Sequence, residues 1–270
     1  MILYILYHMA SDITVILTVY RRPHVLLEQL EAIQNQSIPP TSIIIWKNQY
    51  DGIELPEIPE NLKKNVDIIN SSRNFGVWAR FAVGLLATTT YIAVFDDDTI
   101  PGKRWFENCL YCMSIKEGLY GTIGLIYNSK ETYWGVSRVG WDHNFEFYDI
   151  KGVRYYYNRS AIHQVDIVGH AWFFKREWLC DLWSFAPDYS KLLTVGEDIA
   201  FSTFLQKKNI PTLVPPHPPG HFELFGSHPQ KAMNYGCEHV AVSCQAGAYE
   251  KFDEVYKYFI NTHGFKILNS

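Results

Sequence analysis

Cysteine is scarce, at 5 residues in 270. So sparse and odd a set implies no disulfide framework and points to a reducing compartment, the cytoplasm. Cys109 and Cys112 form a C-x-x-C pair, but no second pair has zinc-site spacing, and Cys237 and Cys244 stand too far apart. Buried structural thiols are expected instead. Positive charge is lacking too. A net charge of −4 leaves no electrostatic footprint for nucleic acid. Long apolar runs are missing. Met1 to Tyr7 is apolar but short, His8, Ser11 and Asp12 interrupt it, and no basic region precedes it. Neither a membrane anchor nor a signal peptide is expected there, and no other stretch is long enough to span a bilayer. No strand is followed by G-x-G-x-x-G or G-x-x-x-x-G-K-[ST], which argues against a dinucleotide-binding Rossmann site and a P-loop.

What the chain does contain is apolar material in short runs. With 47% hydrophobic and 19% charged residues, it supports a full core in one large α/β domain or in a domain with a sizeable appendage. Ile13 to Val19 is β-branched and apolar, a buried first strand. Pro23 suits the first turn of a helix, and Val25, Leu26, Leu30 and Ile33 then recur at helical spacing. Ser42 to Trp46 and Val66 to Ile69 read as strands, Phe75 to Leu86 as a helix, and Tyr91 to Phe95 as a fully buried fourth strand. This alternation predicts a mainly parallel sheet with helices on both faces. Parallel order brings the loops after Val19, Trp46, Ile69 and Phe95 to one carboxyl edge, where ligands sit. Thr18, Tyr20, Arg21, Asn48, Asn74 and Asp96 could then line one crevice. The second half is less regular. Helices are expected from Trp105 to Ile115, Lys175 to Trp183, Glu197 to Lys208 and Tyr249 to Ile260. Strands are expected from Thr122 to Tyr127, His163 to Val168 and Thr212 to Val214. Tyr133 to Arg159 reads as short antiparallel strands or a long ordered loop.

Four features could carry chemistry. Asp96-Asp97-Asp98 follows the buried fourth strand at once. Adjacent acids repel unless a cation compensates them, and hard oxygen ligands suit Mg²⁺ or Mn²⁺ beside a phosphate; a merely solvated acidic loop would lie in a polar run. Gly196-Glu197-Asp198 opens a helix. Acids there complement the helix dipole, and a partly desolvated carboxylate can also act as a general base. His217 sits in a proline-rich loop with His221 and His228 nearby; it could ligate a metal through its imidazole or simply be exposed. In Gly169-His170-Ala171-Trp172-Phe173-Phe174 the aromatics could pack the core, or His170 and Trp172 could form an acceptor platform. Arg21, Arg22, Arg73 and Arg80 fall near the carboxyl edge, where a diphosphate needs cations, although each could equally face solvent. Trp134, Trp141, Trp172 and Tyr155 to Tyr157 could line a sugar-stacking cleft or fill the core.

Together these segments resemble a GT-A-fold glycosyltransferase, close to the family 2 type and similar to the exostosin-like transferases. Compact stand-alone forms of this kind are also encoded by large DNA viruses. Ile13 to Arg22 resembles the opening strand and its base-binding turn. Asn74-Phe75-Gly76 with Arg80 resembles the segment that meets nucleotide and diphosphate. Phe95-Asp96-Asp97-Asp98 resembles the D-x-D metal motif, Val168 to Phe174 the acceptor-side strand, Gly196-Glu197-Asp198-Ile199 the E-D motif, and Val214-Pro215-Pro216-His217-Pro218 a late histidine segment. The Q-x-x-R-W pattern of processive polysaccharide synthases is missing.

The resemblance implies a single GT-A domain over 1–270, with a mainly parallel sheet and a smaller mixed sheet on the acceptor side. Residues 1–102 would bind the nucleotide sugar, and 103–270 would bind the acceptor and carry catalysis. Thr18, Tyr20, Arg21 and Asn48 would hold uridine. Asn74 and Arg80 would hold the diphosphate or sugar, Asp96 would contact the donor, and Asp97 would touch the sugar or only shape the turn. Asp98 and His217 would ligate Mn²⁺ or Mg²⁺. Asp198 would be the base of an inverting transfer from a UDP-sugar to a glycan or glycoprotein acceptor, with Glu197 orienting hydroxyls and His170 and Trp172 meeting the acceptor. A retaining, exostosin-like reaction is the alternative within this resemblance; outside it stands a non-catalytic nucleotide-sugar or carbohydrate-binding module. A D-x-D-x-T/V phosphohydrolase fits poorly, because Ile100 stands where Thr or Val is needed and the motif follows the fourth strand. A sugar nucleotidyltransferase fits less well still, as the first strand lacks a Gly-rich, Lys-bearing loop.

Overall fold

The computed structural model describes residues 12–140, 155–156, 160–184, 192, 194–236 and 241–269. Met1 to Tyr7, Trp141, Tyr157 and Cys237 lie outside the described residues, as do the side chains of Tyr155 and Tyr156. Ten strands form one sheet: β1 (Ile13–Val19), β2 (Ser42–Lys47), β3 (Val66–Asn70), β4 (Tyr91–Phe95), β5 (Leu119–Ile126), β6 (Ser137–Val139), β7 (Tyr155–Tyr156), β8 (His163–Val165), β9 (Ile167–Lys175) and β10 (Thr212–Val214). Their order is β3-β2-β1-β4-β9-β5-β10-β8, with β6 on β5 and β7 on β6. β3, β2, β1 and β4 are parallel. β9 then runs antiparallel to both β4 and β5. The mixed half expected on the acceptor side is therefore continuous with the parallel half through β4 and β9.

The strands form where the sequence is apolar without interruption. β1 and β4 are buried along almost their whole length, as expected of strands covered on both faces. Both neighbours of β1 are parallel to it, so the chain reverses its winding direction there. That makes the carboxyl end of β1 and β4 a topological switch point, the place where an open α/β sheet leaves a crevice.

Helices cover both faces. The side chains of β9 alternate between them. Trp172 and Phe174 meet Phe81 from the helix Ala79–Val83, and Phe174 meets Phe201 from the helix Glu197–Lys207. Phe173 points the other way, onto Tyr91 and onto Phe106 of the helix Trp105–Ile115. Cys109 and Cys112 are buried on that helix, and desolvation pushes the Cys112 thiol up to about 12, so these are inert packing thiols. Cys180 and Cys244 are exposed. Among the described residues no helix is long and apolar enough to cross a membrane.

Three expected elements are split. The helix expected from Phe75 to Leu86 is an α-helix only over Ala79–Val83, followed by a 3-10 turn over Gly84–Leu86. Its start is unwound because Gly76 adopts φ +74° and donates its N–H to Asn74 Oδ1 at 2.7 Å, a local turn that competes with helix. The segment from Lys175 to Trp183 is likewise split, a 3-10 turn over Arg176–Trp178 followed by the helix Leu179–Ser184. The strand expected from His163 to Val168 is two strands, broken at Asp166. That residue is 4% exposed. Its Oδ2 accepts the Tyr127 N–H and its Oδ1 the Leu268 N–H, both at 2.7 Å, so one carboxylate pins the C-terminal segment to the sheet. Asp166→Asn keeps one acceptor and strands a buried N–H. It should cost about 1–3 kcal/mol in urea unfolding, and an unchanged midpoint would refute the pin.

Candidate active site

The turn after β4 is held from below by a residue that the sequence analysis passed over. Gln29, buried on the helix Leu26–Gln34, donates from Nε2 to the carbonyls of Asp96 and Thr99, both at 2.7 Å. The polar Gln29 among Leu26, Leu30 and Ile33 was the available signal. Asp97 is bonded to the turn after β1. Its Oδ1 accepts from Arg22 at 2.7 Å and its Oδ2 from the Arg21 N–H at 3.3 Å. Of its two expected roles, these bonds favour shaping the turn. Asp98 lies 3.4 Å from Arg22 and accepts from the Thr99 hydroxyl at 3.3 Å. Burial, with the charges of Asp96 and Asp97, pushes its carboxyl up to about 7.

The imidazole at this turn belongs to His170. β9 carries a bulge: Gly121 faces Trp172 but Ile123 faces Gly169, so β9 has one residue more than β5 across that step. His170 takes φ +66° within it and its carbonyl accepts the Asp96 N–H at 3.0 Å. Bulges re-aim side chains beside functional sites. Here the result is that ligand atoms of Asp96, Asp98 and His170 all lie within 4.8 Å of one another. Burial lowers the pKa of His170, so the ring is the neutral, ligating form. Two carboxylates and one neutral imidazole fit a divalent cation such as Mn²⁺ or Mg²⁺.

His217 does not share in this group. It is 2% exposed and sits between the rings of Phe225 and Trp105, at centroid distances of 4.4 and 6.1 Å. Burial drives its pKa down to about 3. It is therefore buried among aromatic rings, not exposed, and His170 is the histidine grouped with Asp98. His221 is paired with Glu223 at 3.0 Å, and His228 packs on Phe222.

Glu197 and Asp198 begin the helix Glu197–Lys207 after Gly196, whose φ is +92° and where a Cβ would stand 2.5 Å from Val255 Cγ1. Only glycine meets both conditions. Glu197 is buried and bonds Arg80 Nη2 at 2.6 Å; Arg80 Nη1 bonds Asp96 Oδ1. Both terminal nitrogens of Arg80 are therefore bonded to carboxylates. Trp172, 2% exposed, lies beneath that guanidinium with its ring centroid 4.5 Å from Cζ. Of the two readings of its ring, core packing or an acceptor platform, its burial accords with core packing. Asp198 is half-buried, accepts the Ile199 N–H at 2.7 Å, and is pushed up to about 8 by burial and by Glu197.

The crevice beside the turn is lined as the parallel order required. Asn48 is buried, donates to Asn74 Oδ1 at 2.8 Å and accepts the Phe75 N–H at 2.9 Å. Asn74 donates to the Tyr20 hydroxyl at 2.9 Å. The Arg21 guanidinium lies 4.5 Å from the centroid of Tyr50 and 5.2 Å from that of Tyr20. Thr18 contributes a buried hydroxyl with no partner among the described residues. Tyr50 was not singled out in sequence, since a lone tyrosine in a loop carries no signal.

A helix over Pro229–Gly236 caps the turn. Lys231 and the Tyr235 hydroxyl both bond Glu28, Tyr235 meets His24 edge-on, and a Cβ on Gly236 would stand 3.2 Å from Asp98 Oδ2. No local pattern announces this contact between distant segments.

Asp98 and Asp198 both hold their protons well above the ordinary value of 3.8. An unfolded chain loses those protons near pH 4, whereas the folded chain keeps them to about 7 and about 8. The folded state binds more protons in between, so stability should fall as pH rises through that window. Urea unfolding from pH 5 to 9 without divalent cations should show the decline, and Asp198→Asn should flatten it; a rise with pH would contradict the burial of these acids.

Comparison with known proteins agrees with this geometry. The model of glycosyl transferase family 2 matches residues 14–183, more than half of the chain and inclusive of the β4 turn and β9. No curated protein matches in sequence. Among solved structures, the crystal structure of S. aureus TarS is similar, with a TM-score of 0.50 and 12% identity. The match covers 76% of this chain and 35% of that one, so the likeness is of fold and the chain spans about a third of the other's length. With a family match over more than half of its length, including the turn after β4 and β9, the chain belongs to glycosyl transferase family 2.

Proposed function

We propose that this protein is a metal-dependent, inverting transferase that moves one sugar from a UDP-sugar to a hydroxyl of a glycan or glycoprotein acceptor. The observation that carries the reading is one juxtaposition. The Asp96–Asp98–His170 group, fit for a divalent cation, and the half-buried acid Asp198 are joined through Arg80 and Glu197. A cation held by Asp96, Asp98 and His170 would neutralise the departing diphosphate.

The remaining work falls to the chain. Thr18, Tyr20, Arg21 and Asn48 hold uridine, with Asn74 bridging Asn48 and Tyr20. Asp198 takes the proton of the acceptor hydroxyl as that oxygen attacks the anomeric carbon. A carboxylate with so high a proton affinity is a stronger base than an exposed one, and it is protonated in a larger fraction of molecules at neutral pH. The rate should therefore climb with pH and level off above about 8. No covalent sugar–enzyme intermediate is needed.

Nucleotide sugars with Mn²⁺ should raise the melting temperature of the native protein by mass action, which identifies the donor. Asp198→Asn should lower turnover by about 10²–10⁴-fold while keeping UDP affinity; wild-type transfer in that variant would remove Asp198 as the base. Asp98→Ala should abolish Mn²⁺-dependent UDP binding in calorimetry. His170→Ala should weaken Mn²⁺, whereas His217→Ala should leave the Mn²⁺ dependence of turnover as it is, and the reverse pattern would return the ligand role to His217.

A further inference from the structure

Arg80 is 7% exposed, yet it stands between two acids from distant parts of the chain. One guanidinium nitrogen holds Asp96 at the end of β4. The other holds Glu197, the first residue of the helix Glu197–Lys207. The guanidinium face rests on Trp172, itself fixed by its Nε1–H to the Val168 carbonyl at 3.0 Å and by Phe81 at 5.6 Å. We propose that Arg80 is a positioning residue: it fixes Asp96 and Glu197 at one separation, and so sets Asp198 against the donor, without touching the donor itself.

The argument is electrostatic and geometric. β4 pairs with β1 and β9 and makes no ladder with the Glu197–Lys207 helix. Asp96 and Glu197 would repel one another without a cation between them. A planar fork offers its two terminal nitrogens to two carboxylates in one fixed geometry, whereas a lysine ammonium is a single point on a flexible stem. Asp198 follows Glu197 directly, so a shift of that helix start carries the base with it. Misplacement of about 1 Å costs about 100-fold in rate. The Nε–H of Arg80 has no partner among the described residues, so a donor contact through it is the competing outcome.

The kinetic part of the test rests on the transferase reading; the stability part does not. Arg80→Met and Arg80→Lys are made in the wild type and in Glu197→Gln. In the wild-type background kcat should fall about 100-fold, with KM for the nucleotide sugar within about threefold and UDP–Mn²⁺ affinity kept or tightened in calorimetry. Arg80→Met should lower the melting temperature by about 6 °C or more, and by clearly less in Glu197→Gln, where one acid of the pair is already neutral. Arg80→Lys keeps a cation, so if Arg80→Met does not fold, the same split between kcat and KM is read on Arg80→Lys. A tenfold or larger loss of UDP affinity in either variant, measured without Mn²⁺, where the Asp96 ligand plays no part, overturns the proposal in favour of a donor contact. An equal melting loss in both backgrounds overturns the tie itself. Loss of the transferase reading alone would appear as a wild type that moves no sugar while the melting temperatures still show the coupling.

Discussion

The site depends on one buried guanidinium. Asp96, Asp97, Asp98, Glu197 and Asp198 crowd one edge of the sheet, and among the described residues Arg22 and Arg80 are the cations bonded to them. Burying a charge is expensive unless it is paired and hydrogen-bonded. Arg80 satisfies Asp96 and Glu197 together, and Arg22 satisfies Asp97 and approaches Asp98. The residue of that balance is visible in Asp98 and Asp198, which hold their protons to about 7 and about 8. The same shortage of positive charge suits Asp98 to a cation and Asp198 to a proton.

The sheet brings these acids together through its topology. β1 and β4 end side by side at the switch point, which puts Arg21 and Arg22 beside the turn that carries Asp97 and Asp98. β9 runs antiparallel to β4, so residues after Val168 reach the same edge from the opposite direction. The bulge at His170 supplies the imidazole there. Gly196 lets the Glu197–Lys207 helix start hard against Val255 of the helix Ala248–His263. A rigid sheet, a bulge and a glycine-permitted helix start thus aim four of the decisive side chains. The Pro229–Gly236 helix then shields Asp98 from one side.

Much of this was legible in the chain. The parallel half could be read because its strands are continuous apolar runs closed by polar turns. The acids of Asp96 to Asp98 and of Glu197-Asp198 stood out because each abuts a regular element. Asn48 and Asn74 followed from parallel order alone. The histidine and the aromatics were not legible. His170 and His217 each come shortly after a strand expected from the sequence, yet one meets two carboxylates and the other is packed against Phe225. Trp172 could as well have faced a sugar as lain under Arg80. Gln29 and Tyr50 drew no notice because their partners are distant in sequence.

By itself the sequence determined the order of the elements, the α/β class, the carboxyl edge on which function gathers, and the acids placed there. These follow from local properties: apolar periodicity, turn residues and the adjacency of charges along the chain. Only the tertiary structure decided which imidazole and which guanidinium face those acids. Such choices are made by contacts across the sheet, where a single bulge or one buried ion pair redirects a side chain and leaves no periodic trace in the sequence. At Asp96 the chain supplied the carboxylate; the fold supplied Arg80 and His170, and with them its role.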